Sequence, residues 1–409
     1  LRNGWDGVTN TAWTDVAFDN SQMQKHNVSF TNGSENGNYY LSLTYLDNNG
    51  IVKGDVDVYK RLTATINSEY AIKPWLKVGT TNQIEKFNIR SVSMNNEYGS
   101  LLTSILQLDP LTPDTYAADK LPAHMQTALN NGKHLLKNEN GDYYAVSKYY
   151  AGEQFHPMIM RDNNIGKNSG FNVNGSIYSD FKPIKDFTFT SRFGYRLSGT
   201  RQSSTDLPFY GNSTQSRDYV SLNARSTTSI YYQWENFANY TKSFGQHTVT
   251  GMVGMSYQES TNDNVYGSLS ANSEDAIKKN DPLFYYLNYG SASATKGVAG
   301  EKIRSAKLSY FGRVGYEFAG RYLLQGSLRA DAADLSLLPS TNRWGYFPAV
   351  SAGWTLSEEE FFAPLKHQVS SLKLRASWGQ NGSLAALSNY PYSTDMALKG
   401  LYPFGTGNY

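Results

Sequence analysis

From Leu372 to Gly379 the chain alternates, residue by residue, between apolar and polar side chains. Successive side chains of an extended chain point to opposite faces. Leu372, Leu374, Ala376 and Trp378 therefore share one face, and Lys373, Arg375, Ser377 and Gly379 the other. A strand with cations on one side and apolar residues on the other borders two different solvents. These are either a protein core and water, or lipid and a wet lumen. The same period recurs along the chain. Leu41, Leu43 and Tyr45 alternate with Ser42 and Thr44, and Leu62, Ala64 and Ile66 with Thr63, Thr65 and Asn67. Phe187, Phe189, Phe193 and Tyr195 oppose Thr188, Thr190, Arg192 and Arg196. Leu308, Tyr310, Val314 and Tyr316 oppose Lys307, Ser309 and Arg313. The pattern predicts about twelve strands, each near the ~10 residues that cross a bilayer at a tilt.

The connections decide between the two solvents. Short turns are expected at 32–38, 71–75, 182–186, 244–247 and 319–321, and long polar loops at 47–58, 88–170, 198–225, 260–304 and 332–346. A soluble sandwich has no reason to gather its long loops at one end, whereas an up-and-down barrel in an outer membrane does so. The expected fold is therefore all-β: an antiparallel up-and-down transmembrane β-barrel. Charged residues at 18% fall below the ~25% usual for soluble domains, and only alternate residues of such a wall need be apolar. No apolar run reaches the ~18 residues of a membrane helix. Two helices are expected. One covers 101–108, with Leu101, Leu102, Ile105 and Leu106 at helical spacing and Asp109-Pro110 as a stop; the other is a short turn over 358–365 with Ser357 as N-cap.

Catalytic patterns are absent. The histidines at 26, 124, 134, 156, 247 and 367 never form H-E-x-x-H, and neither a phosphate-binding loop nor a dinucleotide fingerprint follows a strand. Residues 297–302 lack phosphate-loop spacing, and residues 349–353 lie inside a dyad strand and so cannot be a nucleophile elbow. Asp47, Asp55 and Asp57 miss calcium-loop spacing. With 0 cysteines there is no thiol chemistry and no thiolate metal site. The basic residues form no run, which removes the electrostatic support for nucleic acid. No enzyme, cofactor or metal is expected. The binding-type signal lies in loop aromatics: Tyr143, Tyr144, Tyr149 and Tyr150 in one group, Phe284, Tyr285, Tyr286 and Tyr289 in another. Such rings stack on sugars or apolar ligand surfaces, or else pack loops together or sit in an interfacial girdle.

Several ordered motifs resemble one family. His26-Asn27-Val28-Ser29, Asn38-Tyr39-Tyr40-Leu41-Ser42-Leu43, Tyr45-Leu46-Asp47 and Gly50-Ile51-Val52 look like the first conserved barrel hairpin of the SusC/RagA family of TonB-dependent outer-membrane transporters from Bacteroidota. Tyr59-Lys60-Arg61, Trp75-Leu76-Lys77-Val78-Gly79, Ser309-Tyr310-Phe311-Gly312-Arg313, Leu328-Arg329-Ala330-Asp331 and the stretches 342–354 and 372–379 continue the resemblance in order. It implies a wall of about twelve strands from a barrel of roughly 22, with the family's plug domain, TonB box and leader absent from this chain. Residues 1–23 are then expected to be an approach from plug to barrel, and 24–409 a partial barrel with long outer loops. The resemblance further implies import of a large nutrient, a glycan or oligopeptide, driven by the TonB complex through the missing N-terminal region, with a SusD-like surface lipoprotein over the mouth and outer-membrane lipid around the wall. Arg192, Lys307, Arg313, Lys373 and Arg375 would face the lumen or plug. Competing readings are a passive porin or adhesin barrel, and a soluble carbohydrate-binding β protein.

Overall fold

The backbone register makes the alternation continuous from strand to strand. The structure, a computed structural model, describes residues 5–92, 100–273, 285–334, 338–384 and 392. Twelve strands form one antiparallel sheet in sequential order. They are β1 (Gln22–Ser34), β2 (Gly37–Asn49), β3 (Val58–Lys73), β4 (Leu76–Arg90), β5 (Asn164–Phe181) and β6 (Phe187–Asp206), then β7 (Ser221–Phe244), β8 (His247–Ser270), β9 (Thr295–Phe318), β10 (Tyr322–Ala333), β11 (Trp344–Thr355) and β12 (Lys373–Gly379). Among the described residues, β1 and β12 each pair on one side only. Every short turn falls at one end and every long connection at the other. The short turns are closed by residues in the left-handed region, among them Asp186, Gly245, Ala319 and Gly320.

One face is apolar throughout. Register carries it from Val28 to Leu43, Ala64 and Ile84, and from there to Val173 and Leu197. It continues through Ile230 of β7, whose neighbours on that face, Ala238 and Tyr240, meet Val253 and Gly251 of β8. Val314, Gly326, Val350 and Trp378 complete it. Most of its large side chains are exposed: Val253 is 65% and Val314 62% accessible. In water so wide an apolar surface would drive association. Against acyl chains it is the expected coat of a barrel wall.

Ring contacts bound this coat. At the short-turn end Phe244, His247, Phe318, Tyr322, Trp354 and Phe361 form a continuous row, with successive centroids 4.9–6.5 Å apart. Toward the other end, Phe193 stacks on Tyr232 and Tyr232 lies 6.1 Å from Tyr257, while Tyr310 stacks on Trp344. Just beyond Tyr257, Glu259 accepts from Tyr257, Tyr232 and, in bidentate fashion at 2.7 Å, Arg304. About ten residues separate His247 from Tyr257, which is roughly 25 Å of height at the usual ~40° strand tilt and matches the apolar band of an outer-membrane barrel. The rows are its two aromatic girdles.

The strands run much further than expected. β7, β8 and β9 have 24 residues each. The long connections shrink accordingly, to 91–163, 207–220 and 271–294 in place of 88–170, 198–225 and 260–304. Beyond Glu259 the coat side carries Thr261 and Asp263, so both faces are polar and the dyad signal fades although ladder pairing continues. The turn before β12 also differs. It holds two 3-10 pieces, Leu356–Glu358 and Glu360–Leu365, with no side-chain cap at either. Ser357 is instead buried, its amide bonded to Leu372 O at 3.2 Å. Pro364 inside the second piece blocks regular α-helix.

Two substitutions test the height of the band. Val253→Arg, on the coat face midway between the girdles, should cost about 2–4 kcal/mol and lower the folded, heat-modifiable fraction of the full-length protein on gels. Val265→Arg, on the same face but above Glu259, should leave that fraction unchanged. Equal losses would place the band elsewhere.

Candidate functional site

Three of the long connections, 50–57, 91–163 and 207–220, pack into one body with the N-terminal segment. α1 (Trp13–Ala17), α2 (Leu101–Gln107) and α4 (Pro157–Asp162), with α3 (Ala123–Asn130) between the last two in sequence, lie at the long-loop end. The largest cluster of buried apolar residues joins Trp13 and Ala17 of α1, Val52 of loop 50–57, Leu101, Ile105 and Leu108 around α2, Tyr144, Phe155, the methionines and Ile159 of α4, and Phe209 of loop 207–220. Four separate chain segments thus share one core. α2 forms where the helical spacing predicts it, and Ser100 with Thr103 makes a capping box at its start. Asp109 ends it, accepting from the Leu111 amide at 3.1 Å and Thr112 Oγ1 at 3.0 Å. Its carbonyl receives the Trp13 indole N–H at 2.9 Å. Within the expected approach segment 1–23, residues 5–21 pack among the outer loops. Phe18 bridges to Val52 and the Thr11 amide donates to Pro110 O.

Polar groups lock this core. His156 is fully buried; its Nδ1 accepts from the Met158 amide at the start of α4, which makes Nε2 the N–H that reaches Asp114 O at 2.8 Å. Its ring contacts Trp13 edge-on and Tyr144. Gln154, also buried, accepts from Ser104 Oγ at 3.1 Å and Thr103 Oγ1 at 3.2 Å. Arg161 grips Asp162 through two nitrogens at 2.6 and 2.7 Å and donates to Lys53 O at 2.8 Å. Tyr144 donates to the same Asp162 carboxylate at 2.7 Å. Burial and that acceptor push the Tyr144 hydroxyl far above its ordinary range, so it stays a donor. The arrangement ties loop 50–57 to the longest connection. Gly54, at φ +89, lies against the guanidinium, 3.4 Å from where a Cβ would stand.

The loop aromatics separate by burial. Tyr144 is 4% exposed and has no face left for a ligand. Tyr143 pairs with Tyr116 in a two-residue ladder under Lys137, whose Nζ lies 4.4 Å from the ring centroid. Tyr150 packs against the main core and Tyr285 against a smaller one of Val220, Leu222 and Leu269. Tyr149, with Lys148 5.0 Å from its centroid, and the pair Tyr286 and Tyr289, 6.5 Å apart, remain partly open. Phe284 lies outside the described residues. The His156 cap and the Arg161–Asp162–Tyr144 clamp escaped sequence reasoning. Pro157 at the first position of α4 was the available helix-start signal.

The cations singled out from sequence all lie opposite the apolar coat. Register aligns Arg192 with Glu235, and Glu235 with Ser256. It aligns Lys307 with Gln258, Arg313 with Met252, and Arg375 with Gly353. Arg192 lies over the Tyr178 ring, and Lys307 is 3.8 Å from Asp331. Lys373 and Arg375 line a cleft of about 410 Å³ with Glu317, Gln325 and Ser351. Among the described residues, Arg313, Lys373 and Arg375 have no acid within ion-pair range.

No family model matches the chain. Curated proteins do. The chain is 27% identical over 368 residues to TonB-dependent receptor P39 of Formosa agariphila, covering 87% of this chain and 30% of that protein. It is 27% identical over 416 residues to TonB-dependent receptor SusC of Bacteroides thetaiotaomicron, covering 98% of this chain and 38% of that protein. The chain thus spans about a third of the length of these relatives. Among solved structures, the RagAB peptide transporter superposes with a TM-score of 0.69 at 21% identity over 96% of this chain and 42% of that one. The 'closed-closed' state of the RagAB peptide importer gives 0.70 at 21% identity, over 95% and 42%. These likenesses support the fold: an arc of about twelve strands within a larger outer-membrane barrel.

The loop clamp can be tested directly. Asp162→Ala leaves the Arg161 guanidinium without its carboxylate and should cost about 1–3 kcal/mol of local stability, read as faster protease nicking within 100–163. Tyr149→Ala should not change the nicking rate.

Proposed function

We propose that this chain, a barrel segment of a SusC/RagA-like TonB-dependent receptor in the outer membrane of a Gram-negative bacterium, forms the wall and mouth of an importer for a large nutrient, either a glycan or an oligopeptide. The observation that carries the reading is the fusion of four chain segments into one body at the long-loop end of a lipid-coated wall. A passive pore gains nothing from so rigid a mouth. A receptor does, because ordered groups bind without first losing conformational freedom.

In this reading the parts divide as follows. Tyr149, Tyr286 and Tyr289 offer ring faces to the substrate or to a SusD-like surface lipoprotein that covers the mouth. Arg313, Lys373 and Arg375 meet a plug supplied by the rest of the receptor, whose acids would complete pairs that the wall leaves open. The TonB complex moves that plug. Residues 24–409 act as barrel wall and outer loops.

Growth on the cognate nutrient separates import from passive flux. The full-length receptor should support growth only in TonB-competent cells. Tyr149→Ala combined with Tyr286→Ala and Tyr289→Ala should lower uptake at limiting nutrient by about tenfold or more, since stacking contacts are worth ~1–3 kcal/mol each to sugar-like or aromatic partners. Unimpaired growth without TonB would sink the importer reading.

A further inference from the structure

A cleft of about 550 Å³ opens on the coat side of β1–β5, at the rim of the apolar band. Gln24, Asp47, Lys60, Asn88 and Ser169 are partners in successive registers, so they share the face that carries Leu43, Leu62, Ile84 and Phe171 lower down. Gln22, Asn49 and Val58 join them one step higher, together with Arg90 and Lys167. Ten of the thirteen lining residues are therefore on the outer surface of the wall, and two, Ile89 and Asn168, alternate to the other face. Beside the cleft, Lys86 projects from the outer face of β4 and Arg201 from that of β6, whose residue 201 pairs with Ser169.

Charge in this patch is one-sided. The lining holds three cations, Lys60, Arg90 and Lys167, and two acids, Asp47 and Asp55, and Lys86 and Arg201 flank it on the same face. Lys60 is satisfied by Asp47 at 3.0 Å. Among the described residues Lys86, Arg90, Lys167 and Arg201 make no ion pair, and Lys86, Lys167 and Arg201 are exposed. Their height is that of the band's outer limit. Lys86, Lys167 and Arg201 stand about 10 to 14 residues from the short-turn end of their strands, as Glu259 does on β8, or some 25–35 Å up a tilted wall. Exposed Leu62 and Phe171 stand level with Lys86 as its register partners, and exposed Ile84 lies one step below it on the coat.

We infer that this cleft binds the phosphorylated, sugar-bearing headgroup of an outer-leaflet glycolipid. Arg90, Lys167 and Arg201 hold phosphate, for which guanidinium gives paired donors and ammonium a point charge. Gln22, Gln24, Asn49 and Asn88 supply amide donors and acceptors for sugar hydroxyls. The acyl chains continue onto the coat below. A soluble anion has no use for that continuity, and a protein partner would meet lipid before it met the cleft. The inference rests on the outer-membrane placement of the wall and not on transport, so the lipid and uptake assays can fail independently.

The test uses the full-length receptor in neutral detergent, titrated with fluorescent diphosphoryl lipid A, with its dephosphorylated form and with inorganic phosphate as competitor. The wild type should bind the diphosphoryl form at least about tenfold more tightly than the dephosphorylated one. Arg90→Gln with Lys167→Gln and Arg201→Gln should lose that preference, whereas Lys167→Arg should keep it. Heat-modifiable mobility reports assembly of each variant; if the triple variant does not assemble, Arg201→Gln alone carries the comparison, with a loss of about threefold or more. Unchanged preference in the assembled variants overturns the assignment. So does displacement of the lipid by inorganic phosphate at matching concentration, which would make the cleft a site for free anions.

Discussion

The wall depends on one constraint: in hydrocarbon, every backbone N–H and C=O must find a partner within the protein. The antiparallel ladder meets it from β1 to β12, and the register that satisfies the backbone also sorts the side chains. A slip of one residue between any two strands would bring Arg313 or Arg375 to the lipid and Val314 or Leu374 to the lumen. Backbone pairing, apolar coat and polar interior are thus one decision, repeated at each strand. Among the described residues β1 and β12 each keep one unpaired edge, and the same constraint bears on those edges in a bilayer.

That sorting is why the barrel was legible in the sequence. Where lipid lies on one side and water on the other, polarity alternates and the dyad pattern can be read, as at Leu41–Leu43–Tyr45 or Leu372–Leu374. Where water lies on both sides the pattern fades while the strand goes on. This accounts for the missed ends of β6 to β9, where Asp263, Asn264, Lys302 and Gly300 look like loop. The loop body was still less visible. α2 carried a local signal in its leucine spacing, but the clamp of Arg161, Asp162 and Tyr144 onto Lys53 O joins positions about a hundred residues apart, and no local period encodes it. The packing of residues 5–21 has no local signal either: Trp13 donates to the Asp109 carbonyl and joins the main core through contacts that only the folded loops create.

Burial also divides residues that composition treats alike. Tyr143, Tyr144, Tyr149 and Tyr150 read as one aromatic group, yet Tyr144 is a structural pin, Tyr150 packs the core beside it, Tyr143 lies under Lys137, and Tyr149 keeps a partly open ring. The cations divide in a similar way. Those on the inner face sit among Glu317, Asp331 and Glu235, where a neighbouring domain can complete their pairing. Those on the outer face gather at the rim of the apolar coat.

The unexpected length of β7 to β9 sets how far the mouth stands from the cell. From Glu259 at the rim to Ser270 at the strand's end the sheet rises about 25–30 Å beyond the hydrocarbon, at the usual rise and tilt. The loop body is joined to this collar of paired strands through 207–220. A collar of that height separates the long-loop end from the apolar band by about as much again as the band itself spans.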